Sequence, residues 1–429
     1  MTLLLFTAVY PYNAGAESNF LDVEIHHLVR AFDRVILVPR NLRGERLPLP
    51  KGVKVDESYA SFLNHAGKLS TARLVLQSPH FYREIISRPT ILLYPSSMLR
   101  LAAFVGGAYL TSRWVERWMQ KSASNNVNEL LFYTYWFDQA AMGIGLVKER
   151  FPEIWLVSRA HGYDIYEEYY YKLAFWPCRH TALSFLDRLF PDSQAGTDYL
   201  RTRYPEYSSK IKTAFLGVPE PGFVNQPSRD GVFRVVSCSM IRREKRVEHV
   251  LEGFKRAAEL RPGQRLEWHH IGNGESRGQL QKLADKTLPP NARAYFPGYS
   301  DKQSLMRFYR DTPLDVFVNA SATEGTPVSI MEAISCGLPI IATHVGGNPE
   351  IVSQQNGILL SPNATSQEIA EAFFDLIDNP AKTTSKRKWS RKAWDQKYNA
   401  ERNFSDFTDR IMDTANAKDD MSSDRKAYS

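Results

Sequence analysis

One stretch, residues 315–352, limits what this chain can fold into more than any other. Two short apolar runs, 316–318 and 338–342, flank a segment, 328–336, with the apolar spacing and residue types of a helix. Strand, helix and strand of this size make a βαβ crossover. Strands buried on both faces of a parallel sheet read as unbroken apolar runs, and these two do. Polar residues 319–324 and then Gly325, Thr326 and Pro327 join the first strand to the helix; Gly337 ends the helix, and Gly346-Gly347 turns the chain after the second strand.

Two carboxylates in this unit point to a ligand. In an open α/β sheet, ligands bind beyond the carboxyl ends of the strands, and Glu324 sits in the loop after one. Glu332 lies inside the helix among Ile330, Met331, Ala333 and Ile334, where an unpaired charge is costly. The backbone N–H groups from Gly325 to Val328 are free donors at the helix start, and Pro327 in the first turn sacrifices no hydrogen bond.

The same alternation of strand and helix runs through the chain. Residues 2–9 read as a first strand, followed by a loop carrying Gly15 and Glu17, a helix over 20–32 and a strand over 35–38. That opening is Rossmann-like but lacks G-x-G-x-x-G, so dinucleotide binding is not supported. A strand over 154–158 runs into His161, Gly162 and Asp164, which places the histidine at a carboxyl end. Residues 211–216 read as the last strand of this half. A strand over 232–237 leads to Arg242, Arg243 and Lys245 and an amphipathic helix over 247–260; point charges beside helix N–H groups suit a diphosphate. A strand over 267–271 ends in the tight turn Gly272-Asn273. At 429 residues the chain exceeds one core. The pattern predicts two Rossmann-like domains: 1–216, a Pro/Gly-rich linker over 217–231, and 232–389. Helices over 390–413 return to the first domain, and residues 414–429 form a disordered tail.

Glu324 and Glu332 with seven residues between them, together with Gly325, Pro327, Ala333, Gly337, Pro339, Gly346-Gly347 and Glu350, resemble the glutamate-pair signature of retaining glycosyltransferases of the GT-B fold, family four, as in bacterial polysaccharide-biosynthesis enzymes. The resemblance implies an α/β, GT-B architecture of two Rossmann-like domains with a cleft between them. It implies transfer of a sugar from a nucleoside-diphosphate sugar to a saccharide or lipid-linked saccharide. His161, Lys245 and Glu324 match catalytic positions of the family. Arg242, Arg243, Gly272, Asn273, Gly325, Thr326, Pro327, Val328 and Glu332 fall where it binds the donor, and Gly15, Glu17 and Asp164 where it receives the acceptor. Glu332 is the match for the residue that holds the nucleotide ribose. The family's usual arginine is Met240 here, so Arg242 or Arg243 supplies the second charge from a shifted position. No metal or cofactor is implied, the nucleotide sugar being a substrate. A sugar-nucleotide epimerase or phosphorylase on the same fold, and a non-catalytic carbohydrate-binding protein, are the alternatives.

Charge and composition narrow the partners. The net charge of +7 divides into +4 over residues 1–220 and +3 over the remainder, too even for a nucleic-acid face. Three cysteines without close pairing fit a reducing, cytoplasmic compartment. The segment 99–118 gathers Leu101, Phe104, Val105, Tyr109, Leu110 and Trp114 between arginines. Its apolar core is too short to span a bilayer; it reads either as a core helix or as a peripheral contact with the inner face of the membrane.

Overall fold

The computed structural model describes residues 1–14, 17–121, 127–170 and 175–426, with side chains except at 169, 170 and 415–426. It separates into two compact units: Met1–Leu216 with the segment from Glu401 onward, and Gly217–Ala400.

Each unit holds one six-stranded sheet in which every neighbouring pair is parallel. In the first, β1 (Thr2–Thr7), β2 (Arg34–Pro39), β3 (Val53–Val55), β4 (Leu130–Thr134), β5 (Trp155–Ala160) and β6 (Arg188–Pro191) lie in the order β3-β2-β1-β4-β5-β6. In the second, β7 (Val232–Cys238), β8 (Arg265–Ile271), β9 (Ala292–Gly298), β10 (Val316–Asn319), β11 (Ile340–Thr343) and β12 (Gly357–Leu360) lie in the order β12-β11-β10-β7-β8-β9. Counted within its own unit, each sheet is 3-2-1-4-5-6, the doubly wound order whose direction reverses beside the first strand. Central strands such as Leu130–Thr134 and Val316–Asn319 are buried throughout, because helices cover both faces. The crossover predicted over 315–352 is β10, helix Val328–Ser335 and β11.

Several expectations change. Residues 211–216 form no strand; Ile211 makes a single parallel bridge to Leu189. Residues 217–231 are built into the second unit: Asn225 donates to the carbonyls of Tyr309 (2.5 Å) and Thr312 (2.8 Å), and the buried Arg387 guanidinium donates to Asn225. The segment after 390 breaks into helix Pro380–Ala393, a π-turn Trp394–Tyr398 and helix Ala400–Lys426. Helix Ala400–Lys426 extends past residue 414, and residues 427–429 lie outside the described residues. Phe407 and Ile411 on it complete one core of the first unit, with Tyr133 and Phe190. Buried Arg159 lies 3.7 Å over the Phe407 ring and pairs with buried Glu24 at 3.2 Å.

At its two ends the second unit is tied to itself. Val218 N–H donates to Tyr398 O (2.9 Å), Ala400 N–H to Val218 O (3.2 Å) and the Trp394 indole to Val218 O (3.0 Å). In the first unit the Asn403 amide donates to Leu216 O at 2.8 Å.

Helix Pro95–Lys121 decides the fate of the segment 99–118. Leu101, Phe104, Val105 and Trp114 are core residues of the first unit, and Tyr109 and Leu110 are half-buried. They pack on Phe6, Tyr59 and Phe132, so this helix is not the membrane-facing element.

Candidate functional site

In the second unit the loops that follow β7, β8, β10 and β11 come together where the strand order reverses, between β7 and β10. Lys245 follows β7 and Glu324 follows β10, so the two bracket the switch point. The Lys245 ammonium donates to Oε1 and to Oε2 of Glu324, both at 2.7 Å. Oε1 also accepts from Asn319 Nδ2 (3.0 Å) and Ser321 Oγ (2.6 Å). Among the described residues Oε2 accepts only from Lys245, which leaves it lone-pair capacity for a ligand hydroxyl.

The surrounding backbone is fitted to hold that carboxylate. Ala322 N–H donates to Glu244 O at 2.7 Å and couples the Glu324 loop to the basic loop. Gly346 has φ +49°, and a Cβ there would lie 1.8 Å from the Glu324 carbonyl oxygen, so only glycine lets the turn after β11 close on the loop. Gly272 repeats the device after β8: φ is +151° and a Cβ would meet Ser239 O at 1.8 Å. Its neighbour Asn273 is exposed and accepts the Ile241 N–H through its carbonyl at 2.9 Å.

Glu332 is 9% exposed on helix Val328–Ser335, and its charge is felt by Cys238 at the end of β7. Burial pushes its carboxyl up to about 7, with the Lys302 ammonium pulling the other way. No described side chain hydrogen-bonds the carboxylate. Pro327 stands at the N-cap of this helix, one residue earlier than expected, and the Thr326 hydroxyl beside it is buried without a partner among the described residues. Gly325 and Val328 are half-buried along the same edge. Arg242 and Arg243 are exposed, and their guanidinium groups pair with no described residue; Met240 is 53% exposed.

The first unit treats its polar loop residues differently. Glu17, expected to meet an acceptor, is 3% exposed. Its carboxylate accepts the N–H groups of Ala8 (2.7 Å), Val9 (2.8 Å) and Tyr10 (2.8 Å) and the Trp136 indole (2.5 Å). Asp164, also expected to meet the acceptor, is fully buried and accepts the N–H groups of His161 (2.5 Å) and Phe137 (2.7 Å). Its carboxyl rises to about 6, because burial outweighs those bonds. Both residues tie loops together and both are buried away from any ligand. Gly15 lies outside the described residues.

His161 follows β5 and is held at both ring nitrogens: Nδ1 lies 3.2 Å from Asp192 Oδ2 and Nε2 3.0 Å from the Tyr135 carbonyl. Burial alone would lower its pKa, but Asp192 and Asp164 outweigh this and hold it above the ordinary value. The imidazolium is the form that donates to both acceptors. Tyr135 and Trp136 flank the ring at centroid distances of 4.6 and 4.7 Å.

Of the residues singled out in the sequence, Lys245 and Glu324 are brought into contact and Glu332 is buried on the helix that follows. Asn319 and Ser321, which hold Glu324, and Asp192, which holds His161, were not among them. The signal for the first pair was their place at the carboxyl end of a strand, within five residues of the glutamate. Among the described residues, no group of three or more His, Cys, Asp or Glu could hold a metal ion.

With this geometry in hand, the comparisons with known proteins are decisive for the second unit. Residues 223–396, the segment that carries Lys245, Glu324 and Glu332, match the family described as glycosyl transferases group 1. The match lies within the second unit and covers less than half of the chain.

Among the relatives of this chain, the amylovoran biosynthesis glycosyltransferase AmsK of Erwinia amylovora is 26% identical over 184 residues, 41% of this chain and 44% of AmsK. Spore coat protein SA of Bacillus subtilis is 24% identical over 215 residues, 45% of this chain and 56% of that protein. The match thus spans about half the length of these relatives. Solved structures extend the likeness to nearly the whole chain. The apo lipopolysaccharide outer core galactosyltransferase WaaB superposes with a TM-score of 0.68 at 14% identity, over 96% of this chain and 99% of WaaB. Anabaena HepE in complex with UDP gives 0.64 at 17%, over 96% and 99%. At these identities the likeness shows the fold, which is GT-B.

Proposed function

We propose that the protein is a retaining glycosyltransferase. It moves a sugar from a nucleoside-diphosphate sugar to a saccharide or lipid-linked saccharide acceptor in cell-surface polysaccharide synthesis. The observation that carries this reading is Glu324. A carboxylate fixed by Lys245, Asn319 and Ser321 at the switch point keeps one oxygen with lone-pair capacity for sugar hydroxyls. The relatives support the class of reaction, since AmsK is named for amylovoran biosynthesis and HepE was solved with UDP.

The donor is bound by the second unit. Glu332, buried and without a hydrogen-bonding side-chain partner among the described residues, accepts the ribose hydroxyls once ionised. The diphosphate meets Lys245, the N–H groups at the start of helix Val328–Ser335 and the Thr326 hydroxyl, with Arg242 or Arg243 as the second cation. During transfer the bond from the anomeric carbon to the diphosphate oxygen breaks, and its electron pair leaves with the diphosphate. The acceptor hydroxyl oxygen bonds to that carbon on the same face, and its proton passes to the departing phosphate oxygen. Negative charge grows on the leaving group as the bond breaks, so a fixed ammunition of one ammonium and aligned N–H dipoles stabilises the transition state more than the ground state. The first unit receives the acceptor. Lys245 and the helix amides stand in for a metal, and the acceptor side makes a peripheral membrane contact.

A panel of nucleotide sugars incubated with the purified protein and a saccharide acceptor tests the reading. Release of nucleoside diphosphate and a product with retained anomeric configuration by NMR are expected, with EDTA making no difference. Nucleotide-sugar binding without release or epimerised donor would overturn the transferase, loss of activity in EDTA the metal-free chemistry, and an inverted product the retaining one.

A further inference from the structure

The exposed apolar side chains of this protein are concentrated in one place. Seventeen large hydrophobic side chains are exposed among the described residues, and eight of them fall between Leu69 and Leu99. Scattered exposed leucines are ordinary, but a run of them marks a docking surface.

The run is built from three consecutive short segments. Helix Lys68–Leu76 buries Leu74 and Val75 against the first unit's core and turns Leu69 (88% exposed) and Leu76 outward, two helical turns apart. Helix Pro79–Ser87 buries Phe81 and turns Tyr82 and Ile86 (79%) outward, one turn apart. The 3₁₀ turn Pro89–Leu93 buries Ile91 and exposes Leu92 and Leu93. A surface helix ordinarily shows a polar outer face; here large apolar side chains share the outer face with Lys68, Arg73 and Arg83. The Tyr82 hydroxyl donates to Leu76 O at 2.8 Å and joins the first two segments.

Charge identifies the partner. Residues 68–100 contain Lys68, Arg73, Arg83, Arg88 and Arg100 against a single acid, Glu84, a net of five minus one, or +4. Glu84 is spent on Arg88, at 3.9 Å, and is 13% exposed. Lys68, Arg73 and Arg83 stand exposed among the outward leucines and isoleucine. We propose that this face docks on an anionic lipid bilayer, with the apolar side chains entering the headgroup boundary and the basic ones reaching the phosphates. Tyr82 and Tyr94, apolar with a polar tip, suit the same depth. A second copy of the chain suits the face poorly, because an isologous contact would set the exposed Lys68, Arg73 and Arg83 against the same three bases. The proposal deepens the membrane contact suggested above and rests on that reading for the partner's chemistry.

Co-sedimentation of the full chain with vesicles tests it, using phosphatidylcholine alone and phosphatidylcholine with phosphatidylglycerol, at low and high salt. Binding to the anionic vesicles at low salt, falling severalfold at high salt, is expected. The double variant Ile86→Ser/Leu93→Ser loses binding at either salt. Arg73→Glu/Arg83→Glu lowers the binding constant by about fivefold or more per charge at low salt. Both variants melt like the wild type and release nucleoside diphosphate with a soluble acceptor at the wild-type rate, which separates docking from transfer. Wild type that ignores anionic vesicles at low salt, or folded variants that bind like it, would overturn the proposal. So would sedimentation showing a dimer that the same variants dissociate in the absence of lipid.

Discussion

Glu324 and Glu17 occupy comparable places in the two units: each is a carboxylate in the loop beyond one of the two central strands of a 3-2-1-4-5-6 sheet, the fourth strand for Glu324 and the first for Glu17. They are used in opposite ways. Glu17 gives both oxygens to backbone N–H groups and an indole of its own unit and is 3% exposed. Glu324 is held by side chains, chiefly Lys245, and one oxygen keeps capacity to spare. What separates a loop staple from a binding carboxylate is therefore who its donors are. Amides that close the loop consume a carboxylate; side chains arriving from a neighbouring loop position it and leave it open.

The sharpest way to break this contrast is to remove the side-chain donor. Lys245→Ala should lower kcat by about 10²–10³-fold while weakening donor binding less, since the charge it meets grows in the transition state. Nucleoside diphosphate release under saturating donor measures it; wild-type turnover would transfer the role to Arg242 or Arg243.

Glu332 sharpens the open side of the comparison. Glu332→Gln should cost roughly 1.5–3 kcal/mol of nucleotide binding, read by calorimetry on the folded variant. Its pH dependence follows from burial, which raises the carboxyl from 4.5 to about 7. The native state therefore favours the protonated form. The stability it contributes is complete below the unfolded value and is lost as pH rises through about 7. Relative to wild type, the Gln variant should gain stability between these limits, on the order of 2 kcal/mol by chemical denaturation. Nucleotide affinity should run the other way in the wild type, rising through the same window as the carboxylate ionises, and stay flat in the variant.

The smallest effect belongs to the closed side. Glu17→Gln replaces one accepting oxygen with an NH₂ group and strands a buried N–H, at roughly 1–2 kcal/mol of first-unit stability in thermal melts. Nucleotide affinity should not change. A loss of nucleotide binding would mean that the loop serves the donor as well as the fold.

The sequence made the second unit far more legible than the first. Strands β7, β10 and β11 are largely apolar runs, and Lys245, Glu324 and Glu332 stand in the loops and helix that follow β7 and β10. Glu17 looked equally available because the groups that consume it are main-chain amides, which every residue carries and no residue name reveals. His161 was placed correctly at a strand end, but Asp192 and the Tyr135 carbonyl, its two partners, come from other strands' loops. Residues 60–125 misled most. The aromatic-rich stretch drew attention as the surface element, whereas Leu101, Phe104 and Trp114 fill the core and the plainer Leu69, Ile86 and Leu93 face outward. Helical spacing shows that a helix has an apolar side; which neighbour covers it is settled by packing.

The pairing at the ends of the second unit has a consequence for folding. The first unit is sewn from two pieces of chain far apart in sequence, and bringing them together in an unfolded chain carries the closure entropy of everything from 217 to 400. Once that insert has folded, Val218 and Ala400 are hydrogen-bonded neighbours, and the long loop has become a short clamp. The closing helix, with Phe404, Phe407 and Ile411, is then delivered beside Leu216 as though it were the next residue along.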